Sequence, residues 1–170
     1  MNPVGHQVIA KQWQDWIKFP SEVTGIKKYI PDTTKPKAVI VDIDGTSAYM
    51  NGKRGAFEWA NVYLDDPDIV LRTILNSLPW DIIFVSGRDS CCYDLTHSWL
   101  KKHRFNFNEL FMRPEGDTRD DRIIKEEIFW NNIAAHYNVV GVFDDRPKIV
   151  RLYRNLGLKV FAVGNQDIDF

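Results

Sequence analysis

Five short apolar runs, spaced by stretches of helical period, restrict this chain to few folds. Lys37 to Ile43 (KAVIVDI), Trp80 to Val85, Glu109 to Met112, Val139 to Phe143 and Leu158 to Val163 read as strands. Between them the pattern predicts helices: one carrying Ile69, Val70, Ile74 and Leu75, one around Asp94 to Lys102, a long one from Asp117 to Tyr137, and one from Pro147 to Leu156. Asp66-Pro67 reads as the cap and first helical residue of the first helix. Asp117 and Thr118 read as caps of the third, and Gly157 as the stop of the fourth. Strands that are apolar along their length must be covered on both faces, and helical crossovers keep successive strands parallel. The expected fold is α/β, a three-layer sandwich around a central parallel sheet.

A chain of 170 residues suits one such unit. Residues 1–35 are expected to precede it, as a helix with Val4, Val8, Ile9, Trp13, Trp16 and Ile17 at helical spacing and then a connecting loop. Residues 36–170 form the sheet domain, with an irregular insertion at about 47–65. Trp59, Trp80, Trp99 and Trp130 are expected in the core. No apolar run approaches the roughly 18 residues of a membrane span, and the N-terminus lacks a secretory signal, so a cytoplasmic setting is expected. The adjacent Cys91 and Cys92 read as reduced thiols, and no histidine stands at zinc-ligand spacing. Net charge is −1, so nucleic acid would have to be met by local basic groups rather than by the whole surface. Lys27, Lys28, Lys35 and Lys37 form one such set, and Lys101, Lys102, His103 and Arg104 another. Both also fit an ordinary solvated surface.

Parallel α/β sheets bind ligands beyond the carboxyl ends of their strands. The first strand there carries Asp42, Asp44, Gly45 and Thr46 (DIDGT). The second carries Ser86, Gly87 and Arg88, and the fourth Asp144, Asp145 and Arg146. Lys125 follows Asp121 by one helical turn. Clustered carboxylates repel one another, and a hard divalent cation with oxygen ligands, Mg2+ above all, resolves the conflict. One carboxylate can then attack phosphorus, and a second, lifted clear of the metal, can act as general acid and base. A hydroxyl, a backbone amide and a lysine can hold the non-reacting phosphate oxygens.

Two other motif readings fail. A calcium loop starting at Asp42 would need Gly at its sixth position and Glu at its twelfth, where Ser47 and Lys53 stand. A nucleotide-binding G-x-x-x-x-G-K loop fails because six residues separate Gly45 from Gly52 and Arg54 follows Lys53.

The four motifs resemble those of the haloacid dehalogenase superfamily of phosphotransferases. KPKAVIVDIDGT, VSGRDS, EGDTRDDRIIKEEIFWNNIA and DDRPKIVRLYRNLGLKV resemble more closely the 3'-phosphatase domain of phage-type polynucleotide kinase/phosphatase, from about Lys35 to near the C-terminus. That resemblance implies a haloacid dehalogenase-like, Rossmann-like fold with a small cap over about 47–65. It implies Asp42 as nucleophile and Asp44 as general acid and base, with the Asp44 backbone carbonyl on the metal. Ser86 and Lys125 would hold the transferring phosphate, with Arg88 beside it. Asp144 and Asp145 would complete the Mg2+ site. Asp121 would orient a basic group, and Arg54 would reach from the cap. Thr46, Gly87, Arg119 and Arg146 complete the expected substrate-binding set, Arg119 being equally suited to local acids.

Three features depart from the family: the first 35 residues lack a counterpart, the cap reads MNGKRGAFEW with unfamiliar aromatics, and the stretch from Arg88 to Trp99 is shorter. The expected activity is magnesium-dependent removal of 3'-phosphates from DNA or RNA ends by a stand-alone repair enzyme, in the host cytoplasm if the source is a phage. A separate kinase or ligase is the expected partner, and a homo-oligomer is compatible with the sequence. A phosphatase of nucleotides or other small phosphomonoesters, and a noncatalytic subunit that binds nucleic-acid ends or docks a kinase, remain open at this point.

Overall fold

The computed structural model describes residues 27–164; the helix expected over residues 4 to 17 lies outside them. Five strands form one sheet: β1 (Lys37–Val41), β4 (Asp81–Asp89), β5 (Glu109–Arg113), β6 (Asn138–Asp144) and β7 (Val160–Ala162). Their order is β5-β4-β1-β6-β7, and every neighbouring pair is parallel. A separate two-stranded antiparallel ladder joins β2 (Ala48–Tyr49) to β3 (Asp66–Pro67) and closes the insertion between them. The helices are α1 (Ile69–Ser77), α2 (Tyr93–Lys102), α3 (Asp121–Ile128) and α4 (Pro147–Asn155).

Side chains alternate along a strand, and here both alternating sets are apolar. Val39 and Val41 of β1, with Ile82 and Phe84 of β4, pack against Leu71 and Leu75 of α1 and Trp99 and Leu100 of α2. Ala38 and Ile40, with Ile83 and Val85, pack against Ile124 and Ile128 of α3 and Ile149, Leu152 and Tyr153 of α4. Thus the sheet is covered on both faces, and the fold is the expected three-layer α/β sandwich. Among the described residues, no helix is long and apolar enough to cross a membrane.

Several local expectations change. Asp66-Pro67 does not open α1. Proline disfavours helical geometry at the residue before it, and the pair is held extended against Ala48 and Tyr49. Asp68 caps α1 instead, its carboxylate accepting from the Leu71 N–H at 2.8 Å. The buried positions of α1 are Leu71 and Leu75, while Ile69, Val70 and Ile74 face outward. Likewise, Asp117 does not cap the long helix: it accepts from the Arg119 N–H at 3.0 Å and fixes a loop. Asp120 caps α3, accepting from the Arg122 N–H at 2.9 Å. That helix runs into a π-helical turn at Phe129–Ile133, so the segment from 117 to 137 is not one continuous α-helix. Of the four tryptophans expected in the core, only Trp99 is buried. Trp80 and Trp130 lie at the edges of the two cores, and Trp59 belongs to neither.

The segment before β1 is tied down by Tyr29, which packs edge-on against Phe129. Its hydroxyl donates to the Tyr137 carbonyl at 2.9 Å and accepts from the Val139 N–H at 2.9 Å. Tyr29→Phe leaves both buried backbone groups unpaired and is expected to cost about 1–3 kcal/mol. A lower urea midpoint with unchanged slope would show it; an unchanged midpoint would mean that water replaces the hydroxyl.

Candidate active site

The chain leaves β1 toward one face of the sheet and leaves β6 toward the other, so a crevice opens where these adjacent strands end. Asp42 stands one residue beyond β1, its N–H donating to the Phe143 carbonyl at 2.9 Å. Asp144 ends β6, and Asp145 follows it. Carboxylate oxygens of Asp42, Asp144 and Asp145 lie within 4.8 Å of one another. Between two of them α3 inserts Lys125, with its Nζ 2.6 Å from Asp42 Oδ1 and 2.8 Å from Asp144 Oδ2. Burial pushes the Asp42 carboxyl well above the usual range; Lys125 opposes this shift, and the neighbouring acids add to it. Burial raises Asp144 too, against the pull of Lys125. For Lys125 itself burial works the other way, but Asp144, Asp42 and Asp121 hold the ammonium in its charged form.

Gly45 makes this arrangement possible. Its φ of +86° favours glycine, and a Cβ there would lie 2.2 Å from Asp145 Oδ2. Asp145 also accepts from the Thr46 hydroxyl at 2.9 Å, so Thr46 orients an acid rather than facing the cavity. Three converging oxygen donors, carrying more negative charge than one lysine balances, fit a hard divalent cation.

The Asp44 carboxylate turns away from this cluster. Arg88 grips it through Nε at 2.8 Å and Nη2 at 2.7 Å, and Arg54 Nη2 adds a contact at 3.0 Å. Asp65 joins the two arginines from behind, 2.6 Å from Arg88 Nη2 and 2.7 Å from Arg54 Nε. The side chains of Arg54, Arg88 and Asp65 are fully buried. Burial disfavours the Asp44 carboxylate, yet hydrogen bonds and charge from Arg88 and Arg54 hold its pKa below the usual value. The Asp44 carboxylate is thus not one of the three converging acids.

The other expected residues lie nearby. Ser86 is buried, and its Oγ accepts from the Arg88 N–H at 3.2 Å, which leaves its own proton free to be donated. A Cβ on Gly87 would meet Asp121 Oδ1 at 2.3 Å. Asp121 stands 3.9 Å from Lys125 and closer to Arg113 and Arg146, at 3.3 and 3.4 Å. Arg119 is engaged with Asp117 and Glu127 at 2.7 and 2.8 Å. A cavity of about 580 Å3 opens over this group, lined by Asp42, Asp44, Arg88, Lys125, Arg119 and Arg146 among others. Neither lysine-rich set named from the sequence lines it.

Asp65, Arg113 and Lys148 escaped the sequence reading, as did the position of Phe57 and Trp59 on the cavity wall. The adjacency of Asp65 to β3 held no chemical signal. The match of Arg113 to the strand end after Met112 was the one hint available.

Residues 36–168 match the family model described as the polynucleotide kinase PNKP phosphatase domain. A protein of Autographa californica nuclear polyhedrosis virus, whose name proposes a bifunctional polynucleotide kinase/RNA ligase, is 34% identical over 177 residues. That match takes in 99% of this chain, so the first 35 residues, expected to lack a counterpart, do have one there, and it takes in 25% of the viral protein. Chains in two solved structures of Pnkp1/Rnl/Hen1 complexes, one described as an RNA repair complex, superpose with TM-scores of 0.76 and 0.74. They are 32% and 33% identical over 85% and 79% of this chain, and 48% of each solved chain is covered. This chain thus spans about a quarter of the curated relative and about half of the solved chains. The sandwich is of the haloacid dehalogenase type, and the chain belongs to the polynucleotide kinase PNKP phosphatase domain family.

Proposed function

We propose that this protein is a magnesium-dependent polynucleotide 3'-phosphatase that works through an aspartyl-phosphate on Asp42. The observation that carries the reading is the division of the crevice into two halves. One half joins Asp42, Lys125, Asp144 and Asp145; the other isolates Asp44 among guanidinium groups.

In the first step an Asp42 oxygen attacks phosphorus, and the bond to the 3'-oxygen breaks as Asp44 protonates that oxygen. Asp44 must then enter protonated, and phosphate oxygens competing for Arg88, which lines the cavity, favour that form. In the second step water attacks the acyl phosphate and Asp44, again a carboxylate, takes its proton. Lys125 holds Asp42 in place and meets the phosphoryl oxygens, with Ser86 and the Gly87 amide as further donors. Asp42, Asp144 and Asp145 are the residues that would hold Mg2+, which supplies charge neutralisation between these acids and a phosphate dianion. Asp121 would position Arg113 and Arg146 for the strand, and Arg119 would stand at the rim. Asp65 is a positioning residue: it anchors both arginines that grip Asp44.

The names of the viral relative and of the solved complexes favour RNA ends, and a kinase or ligase as functional partner. A ligase consumes the cleared 3'-hydroxyl, and a kinase supplies the 5'-phosphate to which it is joined.

Asp42→Asn should abolish phosphate release from a 3'-phosphorylated oligonucleotide, measured beside nucleoside monophosphates. Robust turnover in that variant rules out the covalent route, and faster turnover of the mononucleotides would reassign the substrate. Asp65→Ala leaves two buried guanidiniums short of an anion, so a stability loss of about 3–5 kcal/mol is expected, together with a lower kcat. Wild-type kcat in that variant would show that the arginines need no anchor.

The reaction needs Asp42 ionised while burial keeps its pKa high, so activity should rise with pH across the acidic limb. Because Mg2+ competes with that proton, raising its concentration should move the limb to lower pH. A limb insensitive to magnesium would remove Asp42 from the ion's ligands.

A further inference from the structure

The segment between β2 and β3 places two aromatic rings where no core requires them. Phe57 is 82% exposed, and Trp59 belongs to neither apolar cluster, yet both line the cavity that holds Asp42 and Asp44. Their centroids are 5.8 Å apart at 87°, an edge-on pair that leaves the Phe57 ring open to solvent. Met50 and Ala56 continue this apolar wall, and Arg113, Arg119, Arg146 and Lys148 line the same cavity.

We propose that Phe57 and Trp59 form a stacking platform for the terminal nucleobase of a single-stranded polynucleotide, so that the site selects a 3'-phosphate carrying an unpaired base. The proposal rests on the 3'-phosphatase reading and names what that reading leaves open. The open Phe57 ring, braced edge-on by Trp59 and beside several cations, suits a nucleotide: the base stacks on the ring, and the backbone phosphates meet the charges. The cavity volume of about 580 Å3 leaves room for more than a phosphate group. The platform is also fixed to the chemistry. Arg54, which contacts Asp44, donates through Nη1 to the carbonyls of Gly55 and Ala56 at 3.1 and 3.2 Å, so the backbone entering Phe57 is held by the arginine of the acid–base group. A terminal base held in a duplex keeps one face stacked and its edge paired, so it cannot turn toward the ring as the base of a free strand does.

The test uses two single-stranded 3'-phosphorylated oligonucleotides, identical except that one ends in an abasic nucleotide. The wild-type protein should show a KM about 5- to 150-fold lower for the base-bearing strand. Phe57→Ala should erase that preference, Phe57→Trp should keep it, and Phe57→Leu, apolar but not aromatic, should not restore it. No preference in the wild type, or a preference that survives Phe57→Ala and Trp59→Ala, overturns the platform. Binding of the same two strands to the Asp42→Asn variant, read by fluorescence anisotropy, tests stacking without turnover. Base-dependent binding with no phosphate release by the wild type would sink the 3'-phosphatase reading alone; release without base-dependent binding would sink the platform alone.

Discussion

A single buried ammonium holds the centre of this molecule together. Lys125 reaches from α3 to the carboxylates that end β1 and β6, and it is almost fully buried there. Without a cation, Asp42, Asp144 and Asp145 could not share so small a space as anions, because their mutual repulsion in a poorly solvated crevice favours protonation. The lysine compensates only part of that charge. The remainder is the charge that a divalent ion could neutralise. The same contact joins a surface helix to the two central strands, so the packing of one sheet face and the placement of Asp42 depend on each other.

The second buried group works by a different balance. Arg54 and Arg88 face Asp44 and Asp65, two cations against two anions, with hydrogen bonds through most of the available guanidinium geometry. Buried charges are tolerable only when paired and hydrogen-bonded in this way. The Trp99 indole N–H donates to the Asp65 carbonyl at 2.9 Å, which fastens the end of the insertion to α2. The insertion is therefore not a loose flap: its arginine, its acid and its aromatic pair are carried by one braced segment.

Much of the sheet was legible because its central strands β1, β4 and β6 are apolar on both faces, a pattern that suits a doubly covered parallel sheet. Boundaries were less legible where polar residues compete for the backbone. Asp66-Pro67 and Asp117-Thr118 both look like helix starts, but Asp68 and Asp120 captured the free N–H groups, since a short side chain caps whichever helix geometry brings within reach. Tyr29 looked like part of a connecting loop; its buried hydroxyl depends on partners more than 100 residues away.

The sequence by itself determined which groups reach the crevice: Asp42, Asp44, Asp144 and Asp145 at strand ends and Lys125 one turn into a helix sit in motifs whose order and spacing are local properties of the chain. Only the tertiary structure decided how those charges are paired. That Asp44 faces arginines rather than the other acids, that Asp65 ties Arg54 to Arg88, and that Phe57 and Trp59 share a cavity with Asp42 all depend on how separate segments meet. Pairing of this kind is set by where the sheet and the insertion fold the chain back on itself, and electrostatics at a few ångströms leaves no trace in residue spacing.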